Sequence, residues 1–245
     1  MKVRVRIMLS AENLRKRYHG KPAVDNISLT VEPGEIVGLL GPNGAGKTTT
    51  FYILVGWLPP DEGKVELNGQ EITILPMYRR ARLGLGYLPQ EPSVFRKMSV
   101  ADNLISVLEF QPISKEEQKI RRDQALKKIG LTALAARIAE TLSGGERRKV
   151  EIARSLVLNP SFLLLDEPFS GIDPITIEDL RGTIRRLADD GIGILITDHN
   201  VRETLTVTNR SYLIFQGKTL LSGSSQELVE HPEARRFYLG QSFTL

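Results

Sequence analysis

The sequence predicts an α/β fold built on a parallel sheet. Two continuous apolar runs, residues 161–165 (SFLLL) and 192–197 (IGILIT), have the composition of strands covered on both faces. An amphipathic helical stretch separates them. A third apolar run, 35–40 (EIVGLL), leads straight into a glycine-rich loop and a helix. Strands that alternate with helices in this way pair in parallel.

Taken in order, the chain opens with MKVRVRIML, which alternates basic and apolar residues. Its apolar run is too short for the core of a signal peptide. Met8 offers an alternative start, because a strand begins near Leu9. Residues 26–31 (NISLTV) alternate as a half-buried strand does. After the run at 35–40 comes the loop GPNGAGKTTT. A helix follows over 47–55, stopped by Gly56 and then Pro59-Pro60. Short strands are expected at 64–67 and 85–88. From 99 to 140 the spacing is helical, with many charges and no strand-like run. Beyond 161–165, Ile177, Leu180, Ile184 and Leu187 mark one face of a helix that Asp173-Pro174 starts and Gly191 ends. The strand at 192–197 then delivers Asp198, His199 and Asn200 together, and His199 is one of only three histidines.

Composition narrows the function. The chain has 245 residues, 41% hydrophobic and 25% charged, which suits a protein that buries a core. No apolar run reaches the roughly 18–20 residues that cross a bilayer. Without cysteine there are no disulfides or thiolate metal sites, and a cytoplasmic location is expected. The net charge of +4 is mild and spread along the chain, and a solvated surface explains it as well as an anionic partner does.

Chemistry concentrates in three places. Gly41-Pro42-Asn43-Gly44-Ala45-Gly46-Lys47-Thr48 fits G-x-x-x-x-G-K-[ST] between a strand and a helix. Its glycines let successive N–H groups point at one phosphate, and the helix N-terminus adds partial positive charge. Lys47 reaches the β- and γ-phosphates, Thr48 offers a hydroxyl to Mg²⁺, and Thr49 completes the loop. Asp166-Glu167 follows the apolar run SFLLL. There Asp166 suits Mg²⁺, and Glu167 suits the general base that polarises the attacking water. Ser143-Gly144-Gly145-Glu146 opens a helix, and it reads equally as an anion site and as an ordinary N-cap. Arg147, Arg148 and Lys149 beyond it read as a solvated helix face, and no role attaches to Trp57.

These stretches occur in a telling order: P-loop, GYLP followed by Gln90, LSGGE, LLLDEP, and a histidine after a later strand. Together they resemble the nucleotide-binding subunit of ABC transporters, over nearly the whole chain. The resemblance implies a P-loop ATPase core with a parallel sheet, a small antiparallel β region and an inserted helical subdomain. The core and the C-terminal tail would span 1–90 and 160–245, and the helical subdomain with the signature 91–159. It implies ATP and Mg²⁺ as ligands. Tyr18 would stack on adenine, and a half-buried strand aromatic is the alternative. Gln90 would sense Mg²⁺ and face the membrane partner. Ser143 to Glu146 would contact the γ-phosphate held by a second subunit. Asp173 would lie at the dimer interface while also suiting the N-cap of its helix. His199 would act with Glu167 as the switch histidine.

DHNVRETL, LSGGERRKVEIARSL, GYLPQEPSVFRKMSVADNL and YLGQSFTL resemble, more narrowly, the branch that powers lipopolysaccharide export. The branch serving branched-chain amino acid import shares the layout but lacks DHNVRETL. The first branch implies a homodimer on the cytoplasmic face of the inner membrane, under two integral membrane subunits and a bitopic accessory protein. Contact with the membrane would run only through those partners, with no nucleic acid involved. Phe95 and Arg96 would lie in the groove that receives the partners' coupling helices. The remaining alternatives are an importer ATPase and a soluble ABC protein without a transport role.

Overall fold

The computed structural model describes residues 7–245. Residues 1–6, which hold most of the basic-apolar opening stretch, lie outside the described residues.

The described chain begins with a β-hairpin, β1 Leu9–Tyr18 and β2 Lys21–Val31. His19 and Gly20 turn it with positive φ of 48° and 79°, as a two-residue turn between twisted strands requires. β3 Ile36–Leu40, the P-loop and helix α1 Lys47–Val55 follow. Next come β4 Glu62–Leu67, β5 Gln70–Glu71, α2 Met77–Arg82 and β6 Leu85–Leu88. The helical stretch holds α3 Val100–Leu108, α4 Lys115–Ile129 and α5 Gly144–Leu156. The chain closes with β7 Phe162–Asp166, α6 Pro174–Asp189, β8 Gly193–Thr197, α7 Val201–Val207, β9 Arg210–Phe215, β10 Lys218–Gly223, α8 Ser225–Glu230 and α9 Pro232–Ala234.

Two sheets form. The order β2-β1-β4-β5 is antiparallel throughout. The order β10-β9-β3-β8-β7-β6 is parallel except for its edge strand β10. Successive strand residues point to opposite faces, so the parallel sheet divides two cores. Leu163, Leu165, Ile194 and Ile196 face a cluster that includes α3, α4, α5 and α6. Phe162, Leu164 and Leu195 face α1 and the antiparallel sheet. The helical stretch therefore shares its apolar core with the sheet.

The strand expected at 26–31 is the second half of a longer one, because β1 pairs with polar positions back to Lys21. The expected helix at 47–55 and strand at 85–88 coincide with α1 and β6. The parallel register puts the ends of β3, β6, β7 and β8 along one edge, and the loops after them carry the candidate site.

Candidate active site

The P-loop needs glycine at two positions for steric reasons. Gly41 has φ 148° and Gly46 φ 106°. A Cβ at Gly41 would stand 2.2 Å from the Ile214 carbonyl oxygen, and one at Gly46 2.4 Å from that of Ala23. The Lys47 ammonium donates to the Gly41 and Pro42 carbonyls at 2.6 and 3.0 Å, so the loop curls around it. Burial lowers its pKa, and the Glu167 carboxylate opposes that shift. Thr48 is exposed at the mouth, whereas the Thr50 hydroxyl is buried on the Gly46 carbonyl.

Asp166 is the last residue of β7, almost wholly buried and paired with Thr197 of β8. Burial, and after it the neighbouring Glu167 charge, push its carboxyl up to about 6. Glu167 leaves the strand with φ 45°, a left-handed conformation that costs a non-glycine residue about 1–3 kcal/mol. Its N–H donates to the Thr197 carbonyl at 2.7 Å, and Arg148 donates to its carbonyl at 3.2 Å. The bend presents its carboxylate to both neighbouring loops. Gln90 Nε2 donates to Glu167 Oε2 at 2.7 Å, and His199 Nδ1 lies 3.2 Å from the same oxygen.

Two supports of this cluster escape a reading of the sequence. Asp198 is fully buried. Its two oxygens accept the Phe169 N–H at 2.9 Å and the Asn200 N–H at 2.8 Å, tying the loop after Glu167 to the turn that bears His199. Burial raises its pKa, and the two backbone donors work against that. Arg148 corrects the expectation of a solvated face over 147–149. It is buried, bonded to the Glu151 carboxylate at 2.9 Å, and donates to the carbonyls of Pro89 and Asp166 at 2.8 and 2.9 Å. Glu151 in turn accepts the Ser93 N–H. One buried ion pair thus holds both flanks of the Gln90 loop and the end of β7. Its sequence signal is faint: an i,i+3 Arg-Glu pair shares a helix face with Ile152. Arg147 and Lys149 are partly covered, bonded to the Leu142 carbonyl and to Asp179, so they are not a freely solvated face either.

The remaining candidates stand apart from this cluster. Ser143 Oγ accepts the Glu146 N–H at 3.2 Å, and Glu146 returns the bond to the Ser143 N–H at 2.7 Å. This is a capping box that leaves Ser143 and Gly144 exposed. Gly145 packs on Thr176, whose Cγ2 would lie 1.8 Å from an added Cβ. Asp173 caps α6 through the Thr176 N–H at 3.0 Å and its hydroxyl at 2.6 Å. Tyr18 is 46% exposed at the tip of a hairpin whose Ala23 abuts Gly46.

A groove runs along the outer side of β6. Trp57, Met77, Tyr78, Tyr87, Pro92 and Arg154 line it, among others. Phe95 stands beside it, half exposed, with the Arg154 guanidinium 4.9 Å from its ring centroid. Arg96 is exposed on the same segment. Among the described residues no helix is long and apolar enough to cross a membrane.

A glycine cradle at a helix start, a lysine within it and adjacent carboxylates on the next strand but one define an ATP-hydrolysing cassette. The family model described as "ABC transporter" matches residues 24–170, and the chain belongs to that family. It is 54% identical over 238 residues, 97% of this chain and 99% of the relative, to the lipopolysaccharide export system ATP-binding protein LptB of Acidithiobacillus ferridurans. The protein of that name from Escherichia coli (strain K12) is 50% identical over 238 residues, again 97% of this chain and 99% of the relative. The crystal structure of an ABC transporter ATP-binding cassette in its ADP conformation matches with a TM-score of 0.86 at 28% identity, over 96% of this chain and 99% of that one.

Proposed function

We propose that this chain is the ATPase subunit of a lipopolysaccharide exporter. It acts as a homodimer on the cytoplasmic face of the inner membrane, beneath two integral membrane subunits of the LptF and LptG kind and with a bitopic LptC-like protein. The near-full-length identity to relatives named as lipopolysaccharide export ATP-binding proteins carries this reading.

In the reaction, the P-loop N–H groups and Lys47 hold the ATP phosphates. The donors on offer for a divalent cation are hard oxygens, the Thr48 hydroxyl, the Asp166 carboxylate and the Gln90 amide. Among the described residues no cluster of three or more His, Cys, Asp or Glu could cage a metal. That suits Mg²⁺, which keeps waters and leans on phosphate oxygens. When bound, the ion neutralises charge on the phosphates. Glu167 takes the proton of the attacking water, His199 holds the Glu167 carboxylate and the γ-phosphate in place, and Tyr18 stacks on the base. Ser143 to Glu146 of one subunit face the nucleotide of the other, with Asp173 between them.

The groove beside Phe95 and Arg96 receives the coupling helices. Its lining is mostly aromatic and aliphatic, with the Arg154 guanidinium and the Glu91 and Glu151 carboxylates among it, which fits the apolar face of an amphipathic helix. Purification of the tagged chain from membranes tests the assignment. Recovery of subunits of the LptF and LptG kind is expected, and recovery of amino acid permeases instead overturns it.

A further inference from the structure

One side chain belongs to both the groove and the nucleotide carboxylates. Tyr87, on β6, lines the groove, and its ring meets Trp57 edge-on with centroids 5.7 Å apart. On its inner side it packs against Phe51 of α1 at 6.1 Å. Its hydroxyl stands 3.5 Å from Asp166 Oδ2. Trp57 is also reached from α1, through Tyr52 at 5.0 Å between centroids. The helix that starts at the P-loop and the strand that leads into the Gln90 loop each press an aromatic ring on the same indole. That indole is the only one in the chain, and it is 55% exposed at the groove wall.

We propose that Tyr87 is a positioning residue that relays the engagement of Asp166 by Mg²⁺ and nucleotide to Trp57, and through it to the groove. The proposal rests on the reading of that groove as the docking site of the membrane partners. Its physical basis is geometric. The hydroxyl contact is well beyond the usual 2.7–2.8 Å for O–H···O, so it has room to tighten or release when the carboxylate turns toward a cation. A phenol ring has only two side-chain torsions, so movement of its hydroxyl end tilts the edge that meets Trp57. Gln90 links the carboxylates to the loop after β6. Tyr87 links them to the strand itself and to the opposite wall of the groove.

The single indole makes the relay directly measurable in the isolated full-length chain. Mg²⁺ with ATP is expected to shift Trp57 emission, and ATP with EDTA is expected to shift it far less. In Tyr87→Phe, which keeps the ring and removes only the hydroxyl, the ATP dissociation constant should stay within about twofold. The Mg²⁺-dependent emission change should fall by more than half. Tyr87→Leu, which removes the ring, should abolish it. An undiminished response in Tyr87→Phe, or no Mg²⁺-dependent response in the wild type, overturns the proposal. A parallel assay keeps the underlying reading separate. Tyr87→Phe should still capture the membrane partners but lose the difference in capture between Mg²⁺-ATP and nucleotide-free conditions. A wild-type chain that captures none refutes the docking site, whereas the emission data judge the Asp166–Trp57 relay by themselves.

Discussion

The Gln90 amide donates to the Glu167 carboxylate at 2.7 Å, although the two residues lie 77 positions apart on different loops. β6 and β7 are parallel neighbours in register from Leu85 with Phe162 to Leu88 with Leu165, so both chains leave the sheet at the same height. The bond requires one further feature, the positive φ of Glu167, which bends its side chain back across the strand ends. Because Arg148 and the Thr197 carbonyl both hold that backbone, the carboxylate is aimed before any ligand arrives.

The sharpest test of this aim is Glu167→Gln. The amide keeps the shape and can still meet Gln90 and His199, but it cannot take a proton from water. Turnover is expected to fall by about 10²–10⁴, the usual worth of a general base. ATP binding should persist and an ATP-bound dimer should accumulate, visible by light scattering. Hydrolysis at the wild-type rate would remove Glu167 as the base.

Arg148→Met should break the buried pair with Glu151. A carboxylate left buried and alone costs about 3–5 kcal/mol, read as a shift in the urea midpoint. Arg148→Met combined with Glu151→Leu should recover much of that stability, because neither charge is then stranded. It should not recover turnover, since the Pro89, Asp166 and Glu167 carbonyls still lack their donor. A double variant as unstable as the single one would show that the guanidinium bonds to those carbonyls outweigh the ion pair.

Most of this framework is legible in the sequence because its signals are local. The P-loop glycines, the apolar runs of β7 and β8 and the Asp173-Pro174 helix start each declare themselves within a few residues. What escapes is long-range or inverted. Arg148 lies in a run of charges that reads as solvent-facing, and only its partners from two other loops make it a buried hub. Asp198 reads as the polar end of a strand, yet its use is to accept two backbone N–H groups. Trp57 follows a helix stop and has no periodicity, so its place beside Tyr52 and Tyr87 depends wholly on the fold. The strands β9 and β10 are short and mixed in polarity, and they gain their identity by pairing at the edge of the parallel sheet.

Gly46→Ala tests whether the P-loop glycine is needed for shape or only for flexibility. The added methyl must both adopt φ 106° and sit 2.4 Å from the Ala23 carbonyl oxygen, which belongs to the rigid hairpin. A backbone shift is the only escape, and strain of about 1–3 kcal/mol corresponds to a loss of affinity for ATP of about 5- to 150-fold. Gly44→Ala meets no neighbour within 4 Å and bears only the strain of φ 76°, so its effect should be smaller. Equal losses in an equilibrium binding assay would refute the steric account.

Arg80 is the largest fully buried side chain, and among the described residues no carboxylate pairs with it. Its guanidinium instead donates to four carbonyls: Ile53 and Leu54 at the C-terminus of α1 at 2.8 and 2.7 Å, and Thr73 and Leu75 at 2.8 Å each. A cation at a helix C-terminus is favoured by the helix dipole as well as by the bonds themselves. Gly56 has to be glycine beside it, since an added Cβ would lie 2.6 Å from Arg80 Nε. Burial pulls the Arg80 pKa down to about 10. The unfolded chain therefore binds this proton more tightly, and the cost of burying the charge is present at every pH below about 10 and relieved only above it. Across the neutral range the group stays charged and adds no pH dependence. Arg80→Met should leave the Leu54, Thr73 and Leu75 carbonyls without this donor, while Ile53 keeps the Gly56 N–H, at about 1–3 kcal/mol for each one that water cannot reach. Arg80→Lys should rescue little, because an ammonium cannot span the fork of bonds to two chain segments. Both variants should lower the thermal midpoint by a similar amount. Near-wild-type stability in Arg80→Lys would mean that charge at the end of α1, and not the shape of the guanidinium, holds α1 to the loop before α2.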